Sequence, residues 1–185
     1  MEQAHYFFAI PLASDVKSWL YDCQQKLQDK GLTYKQWVGI DDFHITLKFL
    51  GATSDMTKQQ LIDEVKQIET PAPFQLKLGN FGWFGLSDKP RVAWIGVEKS
   101  LELVQLQQQI DKTTEQYGFK KENRPYRPHI TLGKRWLGSE AVKSELESLE
   151  RQISEPITIE VDRFVLYRIY PNNTPKYQKV SEFKL

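Results

Sequence analysis

The sequence predicts a fold of mixed helix and strand, built as two similar halves that face each other across a pseudo-two-fold axis. Two observations predict it. The order strand, helix, strand, helix, strand occurs twice, and the same tetrapeptide, His-Ile-Thr-Leu, occupies the middle strand each time, at 44–47 and 129–132. The offsets also match: 36 residues lead from Phe8 in the first opening strand to His44, and 35 lead from Trp94 to His129. Neither half buries a sheet well alone, so each is expected to cover the other. The 185 residues are read as a single domain, 1–185, of two intertwined lobes with repeat halves of about 1–80 and 90–170.

The elements follow in order. Tyr6 to Leu12 (YFFAIPL) is a short apolar run and reads as a buried strand. Ser14 and Asp15 offer helix caps, and Val16, Trp19, Leu20, Cys23 and Leu27 follow at helical spacing until Gly31. Gln36 to Ile40 is extended, and His44 to Leu50 alternates as a strand that Gly51 stops. Thr53 and Ser54 cap a helix carrying Leu61, Ile62, Val65 and Ile68, which Pro71 and Pro73 end. Phe74 to Leu78 is a strand, and Gly79 to Pro90 reads as a loop or hairpin. The second half repeats the order. Arg91 to Val97 is a strand, a helix runs through Leu101 to Ile110 and ends at Gly118, and His129 to Leu132 is a strand. Ser139 is expected to cap a helix through Ile153 that Pro156 ends, before one or two strands in Ile157 to Tyr170.

Composition narrows the function. Forty per cent of residues are hydrophobic and 26% charged, which excludes a disordered tail, a collagen-like fibre and a membrane protein. The net charge is +1, so contact with nucleic acid would need a local basic patch. Cys23 is the only cysteine, which leaves no intrachain disulfide and no Cys-rich zinc site. The N-terminal segment lacks a basic leader, and no apolar run reaches membrane-spanning length. A cytoplasmic monomer is expected.

Two of the three histidines open the repeated tetrapeptide. Alternate side chains of a strand share a face, so His44 points with Thr46, and His129 with Thr131. With the halves face to face, two imidazoles and two hydroxyls meet in one cleft. One imidazole can take a proton from water while the other gives one to a leaving oxygen. Threonine hydroxyls can donate to the oxygens of an anion. This set suits phosphodiester hydrolysis without a metal. Two other readings compete. A lone histidine beside a strand is usually structural, a reading the duplication weakens. Alternatively, His44 and His129 with Asp41 or Asp42 would make a three-ligand zinc site.

Paired H-x-T motifs in duplicated β-α-β lobes resemble the two-histidine (2H) phosphoesterase superfamily. YFFAIPL, WVGIDDFHITLKFLG, PRVAWIGV, YRPHITLGK and VLYRIYPNNTPKYQKVSEFKL resemble more narrowly the bacterial and archaeal RNA 2′,3′-cyclic phosphodiesterases, also called 2′-5′ RNA ligases. The resemblance implies a bilobal α+β fold with antiparallel-rich sheets lining a central cleft. It implies hydrolysis of an RNA 2′,3′-cyclic phosphate end to a 2′-phosphate, with His44 as proton donor to the leaving 3′ oxygen and His129 as proton acceptor. Thr46 and Thr131 would hold the phosphate, with no metal and no cofactor. The RNA partner would be an oligonucleotide or tRNA fragment.

The chain departs from the family pattern at two places. His5 and Tyr6 stand where the family often has a basic residue. Five residues after the second histidine, the usual arginine is Lys134, with Arg135 next. Strict alternation puts Arg135 on the His129 face unless a bulge shifts the register. Both are phosphate-binding candidates. Lys120, Lys121, Arg124 and Arg127 form a basic cluster, read as a solvated loop or a landing site for RNA phosphates. Phe8 and Tyr126 are candidates for base stacking. The alternative activities are 2′-5′ ligation, in which a 5′-hydroxyl replaces water, and hydrolysis of small cyclic nucleotides. A non-catalytic RNA- or nucleotide-binding module is the alternative of a different class.

Overall fold

A computed structural model describes residues 4–185, so the first three residues of the segment read as leaderless lie outside the description. The chain forms β1 (His5–Pro11), α1 (Ser14–Asp29), β2 (Tyr34–Trp37), β3 (His44–Ala52), α2 (Asp55–Val65), β4 (Phe74–Leu86), β5 (Lys89–Val97) and α3 (Leu101–Glu115). It continues through β6 (His129–Trp136), α4 (Lys143–Gln152), β7 (Ile157–Val161), β8 (Arg163–Ile169) and β9 (Tyr177–Lys184). The strands make a four-stranded sheet in the order β3-β1-β8-β9 and a five-stranded sheet in the order β2-β6-β5-β4-β7. The pairings are antiparallel. This is the α+β, antiparallel architecture that the resemblance implied.

The sheets exchange strands. β2, from the first half, is the edge strand beside β6, while β8 and β9, from the end of the chain, complete the sheet of β1 and β3. Apolar residues at helical spacing on α1 and α3 and at alternate positions on the strands form one continuous core, from Leu20 and Leu27 through Leu103, Leu106 and Ile110 to Phe164. Ser54 and Ser100 cap α2 and α3, their hydroxyls accepting from the amides of Thr57 and Leu103 at 3.1 and 3.2 Å.

Several elements differ from the sequence expectation. Ser14 and Asp15 are the first residues of α1 and not its cap, a position that falls to Ala13, which makes no side-chain bond there. Ser139 is not a cap: α4 begins at Lys143, because Glu140 and Ala141 are exposed and give an earlier turn no face to bury. The glycine- and aromatic-rich stretch after Leu78 is a hairpin, one of its two expected forms, but its first arm, β4, runs on from the expected Leu78 to Leu86. Gly82 allows this, since a Cβ there would collide with the Trp94 ring. β9 is an added strand, an edge on which only Phe183 is buried and which therefore carries little apolar signal. Among the described residues no helix is long and apolar enough to cross a membrane.

Candidate active site

The two His-Ile-Thr-Leu strands repeat each other beyond the tetrapeptide. Thr46 is paired with Ala9 and Lys48 with Phe8, so Leu47 is an extra residue, a β-bulge. In β6, Thr131 is paired with Trp94 and Gly133 with Ala93, so Leu132 is the extra residue. The first five positions of both strands share one burial pattern, in which histidine and threonine are half-buried and Ile, Leu and the next residue are buried. Each bulge reverses the alternation after the leucine. The residue five beyond each histidine thus joins its face: Phe49 on β3 and Lys134 on β6.

At each bulge a carbonyl is met by a side chain from the other half of the chain. The Tyr126 hydroxyl donates to the Thr46 carbonyl at 2.9 Å. The buried Gln24 amide, on α1, donates to the Leu132 carbonyl at 2.8 Å and to that of Val38 at 2.9 Å. The amide of Val38 also donates to the Leu132 carbonyl at 2.9 Å. Gly133 is required because a Cβ would stand 2.9 Å from the Tyr34 ring of β2.

His44, Thr46, His129, Thr131, Lys134 and Arg135 all line one cavity of about 460 Å³ between the sheets. The bulge therefore puts Lys134, not Arg135, in alternation with His129 and Thr131. Arg135 reaches the same cavity from a backbone held at φ 64°, in the left-handed region. The histidines are held alike. Nδ1–H of His44 donates to the Asp42 carbonyl at 2.7 Å, and Nδ1–H of His129 donates to the Arg127 carbonyl at 2.7 Å. A carbonyl can only accept, so Nδ1 carries the hydrogen in both rings, and Nε2 is the nitrogen left to the cavity. The Thr46 hydroxyl donates to Nε2 of neutral His44 at 3.1 Å.

The surroundings of the two rings differ. His44 packs against Phe7 and Tyr177, with ring centroids 4.8 and 5.1 Å away. His129 meets Phe84 edge-on at 5.0 Å. Burial lowers the His44 pKa to about 4; the Asp42 carbonyl opposes this, and the charges of Lys134, His129 and Lys17 add to it. Burial also lowers His129, against the pull of the Arg127 carbonyl. Lys134 is lowered by burial and by the neighbouring charges of Lys176 and Arg135. The cavity thus concentrates positive charge around two neutral imidazoles, a setting suited to an anion.

Four sequence candidates for RNA contact are placed variously. Phe8 is 0% exposed and packs against Phe164 and Phe183, so it is core and not a stacking face. Its neighbour Phe7, on the opposite face of β1, borders the cavity instead. Tyr126 is half-buried, with its hydroxyl committed to the bulge. Arg124 and Arg127 are exposed and line a second groove adjoining the cavity. Asp42, weighed as a zinc ligand, turns its carboxylate to the amides of Lys176 and Tyr177 at 2.9–3.1 Å. Among the described residues no three His, Cys, Asp or Glu side chains gather as a metal-binding group.

Sequence reasoning missed Gln24, Phe49, Lys176 and Tyr177. A polar residue inside the apolar face of α1 was the only signal for Gln24.

Duplicated His-x-Thr strands facing each other across one cavity are the arrangement of the two-histidine phosphoesterases that the sequence resembles. A family model described as the 2′-5′ RNA ligase superfamily matches residues 23–173. A Bacillus subtilis protein named RNA 2′,3′-cyclic phosphodiesterase is 32% identical over 182 residues, covering 98% of this chain and 96% of its own. A protein of the same name from Geobacillus stearothermophilus is 32% identical over the whole chain, which spans 58% of that longer relative. The crystal structure of Escherichia coli LigT complexed with 3′-AMP superposes with a TM-score of 0.78 at 24% identity, covering 100% of this chain and 99% of its own. The chain belongs to the 2′-5′ RNA ligase superfamily.

Proposed function

We propose that this protein hydrolyses 2′,3′-cyclic phosphate ends of RNA to 2′-phosphates, as the names of its relatives suggest, with His44 and His129 as the acid–base pair. One observation carries the assignment: both imidazoles are fixed through Nδ1 by the carbonyl two residues earlier, and both offer Nε2 to the same cation-lined cavity.

In the proposed reaction Nε2 of His129 takes a proton from water, whose oxygen attacks phosphorus. The bond from phosphorus to the 3′ oxygen breaks as His44, protonated at Nε2, gives its proton to that oxygen. The products are a 2′-phosphate and a free 3′-hydroxyl. Thr46, Thr131, Lys134 and Arg135 hold the non-bridging oxygens. Lysine contributes a compact charge where an arginine would offer a planar fork. Arg124 and Arg127 meet phosphates of the RNA strand, which is an oligonucleotide or tRNA fragment. We infer that the protein works as a monomer, since both histidines come from one chain. A reducing cytoplasm is its proposed setting, because its single cysteine, Cys23, is a buried free thiol.

The test uses a short RNA ending in a 2′,3′-cyclic phosphate, incubated with EDTA beside the His44→Ala and His129→Ala variants, with products read by phosphorus NMR. A 2′-phosphate from the parent and from neither variant is expected. Full turnover in either variant would overturn the acid–base assignment.

A further inference from the structure

Each histidine is held by the carbonyl two residues earlier, but the residues that supply those carbonyls differ. At His129 it is Arg127, whose side chain is exposed. At His44 it is Asp42, only 6% exposed, which ends a short turn, Ile40–Asp42, and donates its amide to the Gly39 carbonyl at 2.9 Å. A carboxylate buried this far is costly unless its oxygens are bonded. Its partners are backbone amides 134 and 135 residues away in sequence. Oδ1 accepts from Lys176 at 2.9 Å and from Tyr177 at 3.1 Å, and Oδ2 accepts from Lys176 at 3.1 Å.

The two residues docked in this way both belong to the cavity. Tyr177, the first residue of β9, stands edge-on to the His44 ring at 5.1 Å, and Phe7 lies against the same ring at 4.8 Å. Tyr177 and Phe7 also meet each other edge-on at 4.9 Å. The imidazole is thus one member of a three-ring cluster and cannot turn without displacing the other two. Lys176 lines the cavity near enough for its charge to act on Lys134. With Lys134 and Arg135 it brings three cations to the space between the histidines. Asp42 also borders that space, but its carboxylate is taken up by the two amides, so it offsets little of this charge at the point where an anion would sit.

We propose that Asp42 is a positioning residue: its carboxylate docks the start of β9, so that Tyr177 fixes the His44 ring and Lys176 reaches the substrate phosphate as a third cation. This rests on the acid–base reading of His44. It gives Lys176, which lies outside both motifs, a part in binding, and gives Asp42, which touches no substrate, a part in turnover.

The experiment measures kcat and KM on a nucleoside 2′,3′-cyclic phosphate, the affinity for inorganic phosphate, and the ring-nitrogen NMR signals of His44. Asp42→Ala is expected to lower kcat by about tenfold to a hundredfold, the effect of a misplaced catalytic group. Its His44 signals should show a mixture of tautomers where the parent shows one, with Nδ1 carrying the hydrogen. Asp42→Asn should retain most of the turnover, because the single oxygen Oδ1 already faces both amides. Lys176→Met is expected to weaken phosphate binding about tenfold, the loss of one hydrogen bond to a charged group, and to leave the His44 signals as in the parent. Should Asp42→Ala fail to fold, Asp42→Ser reads the same quantities, since its shorter side chain cannot span both amides. A folded Asp42→Ala or Asp42→Ser variant with parental kcat and a single His44 tautomer overturns the proposal, as does a Lys176→Met variant with parental phosphate affinity. A parent that turns over no cyclic phosphate, with the ring signals and phosphate affinities as expected, overturns the proposed function while supporting the placement of His44 and Lys176, so the two failures are distinct.

Discussion

An anion bound in the cavity is expected to return His44 to a state in which it can act as an acid. In the free protein, burial and the charges of Lys134, His129 and Lys17 hold its pKa at about 4. At pH 7 that leaves about one molecule in a thousand protonated there. A singly charged phosphodiester about 4 Å from the imidazolium contributes about 4 kcal/mol at an effective dielectric near 20. Each 1.4 kcal/mol is about tenfold, so the protonation equilibrium moves by about a thousandfold, enough to cancel the deficit near neutrality. Lys134→Met acts in the same direction without ligand, by removing one of the opposing charges. The assay is an NMR titration of the labelled His44 ring in three samples: the free protein, the protein saturated with a nucleoside 2′-phosphate, and the Lys134→Met variant. The expected order of midpoints is free protein lowest, with both perturbed samples higher. A midpoint unmoved by the bound phosphate would refute the electrostatic reasoning.

Further outcomes follow from the surrounding contacts. Tyr126→Phe removes the bond to the Thr46 carbonyl and is expected to cost about 1 kcal/mol of stability. Steady-state kinetics should then show kcat falling more than KM rises; a rise in KM alone would mean that the ring serves RNA contact only. Lys48→Met strands Asp111, since the two side chains form an ion pair at 7% exposure each, and is expected to cost about 3–5 kcal/mol in denaturant titration. Adding Asp111→Leu should recover most of that loss. Finally, both active-site histidines titrate below the ordinary imidazole range when folded. As pH falls below about 6.5 the unfolded chain takes up their protons first, so stability is lost toward pH 4 and unaffected above neutrality. Melting temperatures of His44→Gln should show a flatter pH dependence than those of the parent.

Local chemistry made much of the site legible. The duplicated tetrapeptide, the shared face of each histidine with its threonine, and the strand and helix order all depend on periodicity along a short stretch of chain. Fold class followed from the same signals together with the family resemblance. Face identity was less accessible: alternation separates Phe7 from Phe8, but only the packing of β1 against the core decides that Phe8 is buried against Phe164 while Phe7 borders the cavity. The equivalent ambiguity at Lys134 and Arg135 turned on a bulge. A bulge is a property of two strands, because it exists only where one strand has a residue that its partner does not match. The sequence by itself determined that two imidazoles and two hydroxyls are presented in the same manner by two similar strands. Only the tertiary structure decided that the residues five places beyond them face the cavity, because a bulge depends on strand pairing and on support from Gln24 and Tyr126, each distant in the chain from the motif it supports.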